Sequence, residues 1–187
     1  IRVDSIGLEW YSPYMEMDLK DYKTCDIGDL DLPMGDVEGD LDEISRVTRE
    51  ILADNKKTMM IGGEHLVTYG TIREYIKKYP DLNIIHFDAH TDLREEFLGR
   101  ELSHATVLRK CYDMLESGTL YQFGIRSGDR SEFEWAKTHI HQTKFSFDGL
   151  DECIEALKDK PVYLTIDLDV LDPSVFPGTG TPEAGGV

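Results

Sequence analysis

The sequence has no stretch of about 18 consecutive apolar residues, so nothing in it reads as a membrane-spanning helix. Its first residues, Ile1-Arg2-Val3-Asp4, lack the basic flank and apolar core of an export signal. Cysteine is scarce. Cys25, Cys111 and Cys153 are odd in number, far apart and form no C-x-x-C pair, which argues against a disulfide framework or a zinc ribbon. All three are expected to be buried apolar filler in a protein of the reducing cytoplasm. Basic residues are also short, 20 Lys and Arg against 37 Asp and Glu, and the formal net charge of −17 argues against nucleic acid, whose phosphates would be repelled. A small cation would instead be attracted. No internal repeat, low-complexity tract or long linker interrupts the chain.

What is present is a chain of 187 residues, 40% hydrophobic and 30% charged, the composition of one soluble globular domain. Apolar runs alternate with helical spacing. Leu41, Ile44, Val47, Ile51 and Leu52 form a helical stripe, Lys57 to Ile61 reads as a short buried strand, and Gly62-Gly63 ends it. A helix follows from His65 to about Lys78, then a strand from Asn83 to Phe87. The cycle continues with a helix over Ser103 to Leu115, a strand over Leu120 to Ile125, and a helix opened by Ser131 with Glu134 completing a capping box. Leu150, Ile154 and Leu157 share a helix face, and Val162 to Val170 is the most β-branched run. Gly7 to Asp31 is irregular, with Tyr22 to Ile27 a candidate edge strand. Strands alternating with helices predict a three-layer α/β/α fold on a mainly parallel sheet, with function at the carboxyl edge of its strands.

Two strand ends carry the chemistry. Asn83-Ile84-Ile85-His86-Phe87 runs into Asp88-Ala89-His90-Thr91-Asp92, and Thr165-Ile166 runs into Asp167-Leu168-Asp169. In an extended chain a spacing of two puts Asp88, His90 and Asp92 on one side, and Asp167 and Asp169 likewise. Burying these carboxylates without cations would cost several kcal/mol each. Asp88, Asp92, Asp167 and Asp169 carry four negative charges, which two divalent ions neutralise in number; His90 and one further histidine would complete the set. Oxygen-rich coordination with a minority of imidazole suits Mn²⁺ better than Zn²⁺ or Ca²⁺. Such a pair activates water, which points to a hydrolase. His86 is read as a hydrogen-bonded core residue, and His139 and His141 as surface residues.

The same residues resemble the arginase/agmatinase ureohydrolases over almost the whole chain. The likeness rests on Gly62-Gly63-Glu64-His65, Asp88-Ala89-His90-Thr91-Asp92, Ser103-His104-Ala105, and Asp167-Leu168-Asp169-Val170-Leu171-Asp172-Pro173 leading to Gly178-Thr179-Gly180-Thr181-Pro182. It implies that His65 is the further histidine. One Mn²⁺ would be held by His65, Asp88, Asp92 and Asp167, and a second by His90, Asp88, Asp167 and Asp169. It implies cleavage of a small cationic guanidino compound to urea and an amine, with Asp169 relaying a proton to the leaving amine and His104 assisting at the pocket mouth.

Ser103-His104-Ala105 and Gly124-Ile125-Arg126-Ser127-Gly128 are similar to the agmatinase branch, which implies agmatine as substrate; arginine and 4-guanidinobutyrate remain alternatives. So does a non-catalytic metal-binding relative. A single-zinc deacetylase is disfavoured by two complete carboxylate clusters. The family pattern continues beyond Val187 and starts before Ile1, so the resemblance implies one catalytic domain lacking its C-terminal part and the acid that grips the guanidinium. Family members form trimers or hexamers, and a homo-oligomer is expected here.

Overall fold

Residues 1–33 and 35–187 are described by a computed structural model, and they divide into two units, Ile1–Asp31 and Leu32–Val187. The first unit has no buried residue. It holds a two-residue antiparallel pair, β1 (Tyr11–Ser12) and β2 (Met17–Asp18), between single turns of 3-10 helix at Asp4–Gly7 and Leu19–Asp21. The expected strand at Tyr22 to Ile27 does not form: its residues are exposed and, among the described residues, no strand lies beside them.

The second unit opens on α1 (Val37–Ala53), whose first turn is capped by Asp36 accepting from Gly39 N at 3.0 Å. Its buried stripe, Leu41, Ile44, Ser45, Thr48 and Leu52, packs on α2 (Val67–Lys78). The two helices meet at Gly70, where a Cβ would come within 3.0 Å of Ile44 and of the Leu41 carbonyl. Ser45 Oγ donates to the Gly70 carbonyl across that contact.

Four parallel strands follow, β3 (Asn83–Phe87), β4 (Leu120–Ile125), β5 (His141–Lys144) and β6 (Val162–Ile166), in the order β5-β4-β3-β6. The crossovers carry α3 (Val107–Asp113), α4 (Arg130–His139) and α5 (Leu150–Ala156). Alternation along β3 splits the core. Ile84 joins a cluster with Leu41, Ile72, Leu108, Leu120 and Ala136 on the face covered by α2, α3 and α4, whereas Ile85 joins Phe123, Cys153 and Leu157 on the face covered by α5. Helices on both faces make the predicted three layers.

Several readings of the sequence are corrected. Lys57 to Ile61 is not a strand: Thr58 hydrogen-bonds the Tyr75 hydroxyl and Thr71 meets the Met60 sulfur, so side chains of α2 engage it where a strand would have to pair, and Met59 is exposed. The helix at 131 begins a residue earlier, and its capping box joins Asp129 to Glu132, not Ser131 to Glu134. The last β run stops at Ile166, because the Asp167 side chain accepts from Asp169 N at 3.1 Å and starts a 3-10 turn. His139 and His141 are exposed, as expected of surface residues, and His141 heads β5, a strand not foreseen in the sequence. Cys111 and Cys153 are buried, but Cys25 is exposed because the unit that carries it has no core. Among the described residues no helix is long and apolar enough to cross a membrane.

The β4 strand carries a register irregularity between Gln122 and Ile125, and Gly124 within it has φ +87°. A Cβ at that position would stand 2.6 Å from Val170 Cγ2 and 3.2 Å from the Asp88 carbonyl. Only glycine meets both demands without strain. Gly124→Ala is expected to cost about 1–3 kcal/mol from overpacking and left-handed backbone together. Chemical denaturation checks this; an unchanged midpoint and slope would contradict it.

Candidate metal centre

The carboxyl ends of β3 and β6 lie side by side, with Phe87 paired to Ile166, so the segments that leave them converge. Neither stays extended. After β3 the chain bends through Asp92 at φ +52°, a left-handed conformation that an aspartate tolerates better than most residues. The five groups expected on these segments therefore converge by turns, not by the simple alternation of two strands.

Asp88 sits at the middle and is 1% exposed. One of its oxygens lies 3.2 Å from His65 Nδ1 and the other 3.4 Å from His90 Nδ1. His65 Nδ1 is also 3.1 Å from Asp92 and 3.6 Å from Asp167, while His90 Nδ1 is 2.9 Å from Asp169. Donor atoms thus gather in two groups that share Asp88, one with His65 and Asp92, the other with His90 and Asp169. Asp167 borders the first group from a half-buried position. All six predicted metal residues are brought together.

Whether these groups fit a metal is decided by His65. Its Nε2 is held at 3.0 Å by Thr165 Oγ1, and its buried Nδ1 faces three carboxylates without the alignment of a hydrogen bond to any of them. A buried nitrogen left unpaired among anions costs stability, and a divalent cation between them relieves both problems. The donor set fits.

The crowding shifts the charges at the centre. Burial pushes the Asp92 carboxyl up, and it does the same to Asp169. Burial would also raise Asp88, but the imidazoles of His86, His65 and His90 outweigh it and hold Asp88 well below the usual carboxylate range. His65 is lowered by burial, yet its neighbours Asp88 and Asp92 raise it well above an ordinary histidine. Asp169 and Asp88 beside it raise His90 to about 10. The raised imidazoles of His65 and His90 partly offset the carboxylates around them.

A cleft of about 490 Å³ opens over this centre, lined among others by Glu64, Phe97, His104 and Thr181. His104 stands at its mouth, half exposed, with Nδ1 3.4 Å from Glu64 and its ring edge-on to Phe97. Ser103, which precedes it, forms a capping box with Thr106 that fixes the turn.

The profile of the arginase family matches residues 1–187. The chain belongs to the arginase family. It is 51% identical to the agmatinase of Bacillus subtilis over all of its own length, and it spans 65% of that relative. A solved Clostridium difficile protein, 49% identical, superposes with a TM-score of 0.95 over the whole chain and 68% of its own. The agmatine ureohydrolase of Thermoplasma volcanium, at 33% identity, gives a TM-score of 0.87 over the whole chain and 64% of its own. The arginase-family sheet and helices are thus present here as a partial set.

Several residues around the centre escaped the sequence reading. Glu132 is buried in α4, accepts from Leu93 N at 2.9 Å and from the Thr91 hydroxyl, and so pins the loop that carries Asp92. Its signal was legible as Asp129-Arg130-Ser131-Glu132, a capping box two residues earlier than expected. Arg126 donates to the carbonyls of Asp169 and Glu183, both at 2.7 Å, and of Gly124 and Val170. Glu183 then lies 3.5 Å from His90 Nε2 and accepts from Ser127 Oγ. Arg126 lay within the Gly124-Ile125-Arg126-Ser127-Gly128 motif without a role assigned to it, and nothing local in the sequence marked Glu183. His86 is buried and hydrogen-bonded as expected, but its partner is Asp88, which places it directly behind the centre.

Proposed function

We propose that the full-length protein is a binuclear manganese ureohydrolase that cleaves agmatine to putrescine and urea. The observation that carries the reading is the buried cluster in which the unpaired Nδ1 of His65 faces Asp88, Asp92 and Asp167. His65, Asp88, Asp92 and Asp167 would hold one ion and His90, Asp88, Asp167 and Asp169 the other. Oxygen-rich donors with one imidazole per ion favour Mn²⁺ over Zn²⁺. When bound, the pair supplies the Lewis acidity that makes water nucleophilic at neutral pH.

The chain's own groups do the rest. Asp169 is oriented by Ala89 N at 3.0 Å and by His90, which leaves it placed to carry a proton to the departing amine. His104 and Glu64 at the mouth meet the substrate as it enters, and an acidic rim suits a cation. Identity to the Bacillus subtilis agmatinase favours agmatine over arginine.

To test this, Mn²⁺-loaded full-length protein is offered agmatine, arginine and 4-guanidinobutyrate, and urea is measured. Agmatine should dominate. Preference for arginine would move the assignment to arginase. Tight Mn²⁺ binding with no urea from any of the three would make the protein a non-catalytic metal-binding relative.

A second expectation follows from the protons on His65 and His90. Each imidazole must lose its proton to coordinate, so Mn²⁺ uptake at pH 7 releases protons and tightens as pH rises. The sign for metal-free stability is the opposite. A histidine raised above 6.5 contributes stability that is complete below about pH 6.5, and for His90 this is lost as pH climbs through about 10. A pH-stat titration reads the release; uptake without protons would contradict it.

A further inference from the structure

Behind Asp88 lies a buried chain of amides and imidazole that reaches across the sheet. Gln122, fully buried on β4, donates from Nε2 to the Thr91 carbonyl at 2.7 Å and lies 3.0 Å from His86 Nδ1 with the same nitrogen. A carbonyl only accepts, so the amide nitrogen, not the oxygen, must face Thr91 and therefore His86. The Gln122 oxygen is taken by Gln142 Nε2 at 2.8 Å, which holds the same orientation from β5. With two hydrogens, the Gln122 amide serves both acceptors. His86 Nδ1 must then be the unprotonated nitrogen, and its proton sits on Nε2, 2.8 Å from Asp88 Oδ2.

We propose that Gln122, braced by Gln142, is a positioning residue for the metal centre: it selects the His86 tautomer that donates to Asp88, and thereby fixes the carboxylate shared by the two donor groups. His86 itself is not a ligand. It lies close enough to His65, Asp88 and Asp92 to be grouped with them, but both of its ring nitrogens are already engaged. The hydrogen bond uses Asp88 Oδ2, and His90 N donates to Oδ1 at 2.5 Å. Two fixed donors leave the carboxylate plane no freedom to rotate. A bridging ligand profits most from this, because a rotation that improves one coordination bond spoils the other.

A glutamine in an otherwise apolar run, Leu120-Tyr121-Gln122-Phe123-Gly124-Ile125, is explained by this role. An apolar residue of equal volume would fill the space, yet would leave His86 free to carry its proton on either nitrogen and the Thr91 carbonyl unpaired. The relay rests on the proposed assignment of Asp88 as a ligand of both ions, but its tautomer does not depend on that assignment.

Two measurements on the full-length protein test it. Nitrogen-15 correlation spectra of the metal-free wild type should show His86 protonated on Nε2 and bare on Nδ1; a proton on Nδ1, or on both nitrogens, overturns the proposal without any variant. Gln122→Met keeps the volume and removes the donor. Mn²⁺ titration followed by the electron paramagnetic resonance of the free ion should show affinity reduced about 10- to 100-fold. The His86 spectrum should at the same time become a mixture of tautomers. Native Mn²⁺ affinity in a folded Gln122→Met protein overturns the relay. Native affinity in Asp88→Asn would instead count against Asp88 as a ligand, so the two failures are distinguishable.

Discussion

Asp88→Asn is expected to leave the full-length protein folded but unable to retain either of the proposed divalent ions, with the proposed urea release from agmatine lost. Asp88 is the group common to both donor clusters, with one oxygen facing His65 and His86 and the other facing His90. A carboxamide has nearly the same shape and can still accept from His86, so packing survives. The charge does not, and an NH₂ replaces one of the two oxygens. Removing one partner from a buried ionic cluster costs about 3–5 kcal/mol, which is roughly two to four decades of affinity at 1.4 kcal/mol per decade. Metal analysis after desalting reads the loss directly. A thermal melt separates it from misfolding: the wild type should gain about 2.7 kcal/mol at a hundredfold excess of Mn²⁺ over its Kd, and the variant should gain nothing while its metal-free transition is preserved. Two retained ions with near-normal turnover would show that Asp88 does not bridge.

Arg126→Met should produce the second large effect, on stability and on the centre together. The guanidinium is half-buried and holds carbonyls from three places, Gly124 on β4, Asp169 and Val170 in the turn after β6, and Glu183 near the end of the chain. Methionine fills part of the volume and offers no donor, so these oxygens lose their charged partner at once. Hydrogen bonds to a charged group contribute about 1.5–3 kcal/mol each, and because they share one side chain the total loss is set at about 2–4 kcal/mol. Urea denaturation checks that figure. Arg126→Lys retains charge but not the planar fork, and should recover only part of the loss. Since Asp169 and Glu183 both lean on this residue, turnover should fall more than substrate affinity; a variant with wild-type stability and turnover would refute the role.

Much of the candidate metal centre was legible in the chain because clustered carboxylates and histidines obey local rules. Asp88, His90 and Asp92, then Asp167 and Asp169, are recognisable as clusters directly after apolar strands, since charge at that density needs cations to be buried at all. The sheet was legible for a similar reason: β3, β4 and β6 are β-branched or aromatic runs separated by helical periodicity. The segment Lys57 to Ile61 has the same local character and is not a strand, which illustrates the limit. A strand exists only where a neighbour offers its backbone, and that condition is not written in the five residues themselves.

The backbone detail at the centre was less legible still. Period-two spacing suggested an extended chain, but Asp92 adopts φ +52° and Asp167 caps a turn, so the carboxylates gather through bends. Short polar side chains compete with the backbone for hydrogen bonds, and spacing alone does not say which partner wins.

The sequence by itself marked five of the six candidate donors and the alternation of strands and helices, because both depend on residue types a few positions apart; His65 came only from the family resemblance. Only the tertiary structure decided which nitrogen of each histidine faces the carboxylates. His65 is turned by Thr165, 100 residues away, and His86 by Gln122, 36 residues away. Such partners meet through strand pairing and helix packing, and a hydrogen bond acquires its direction only when both of its ends are in place.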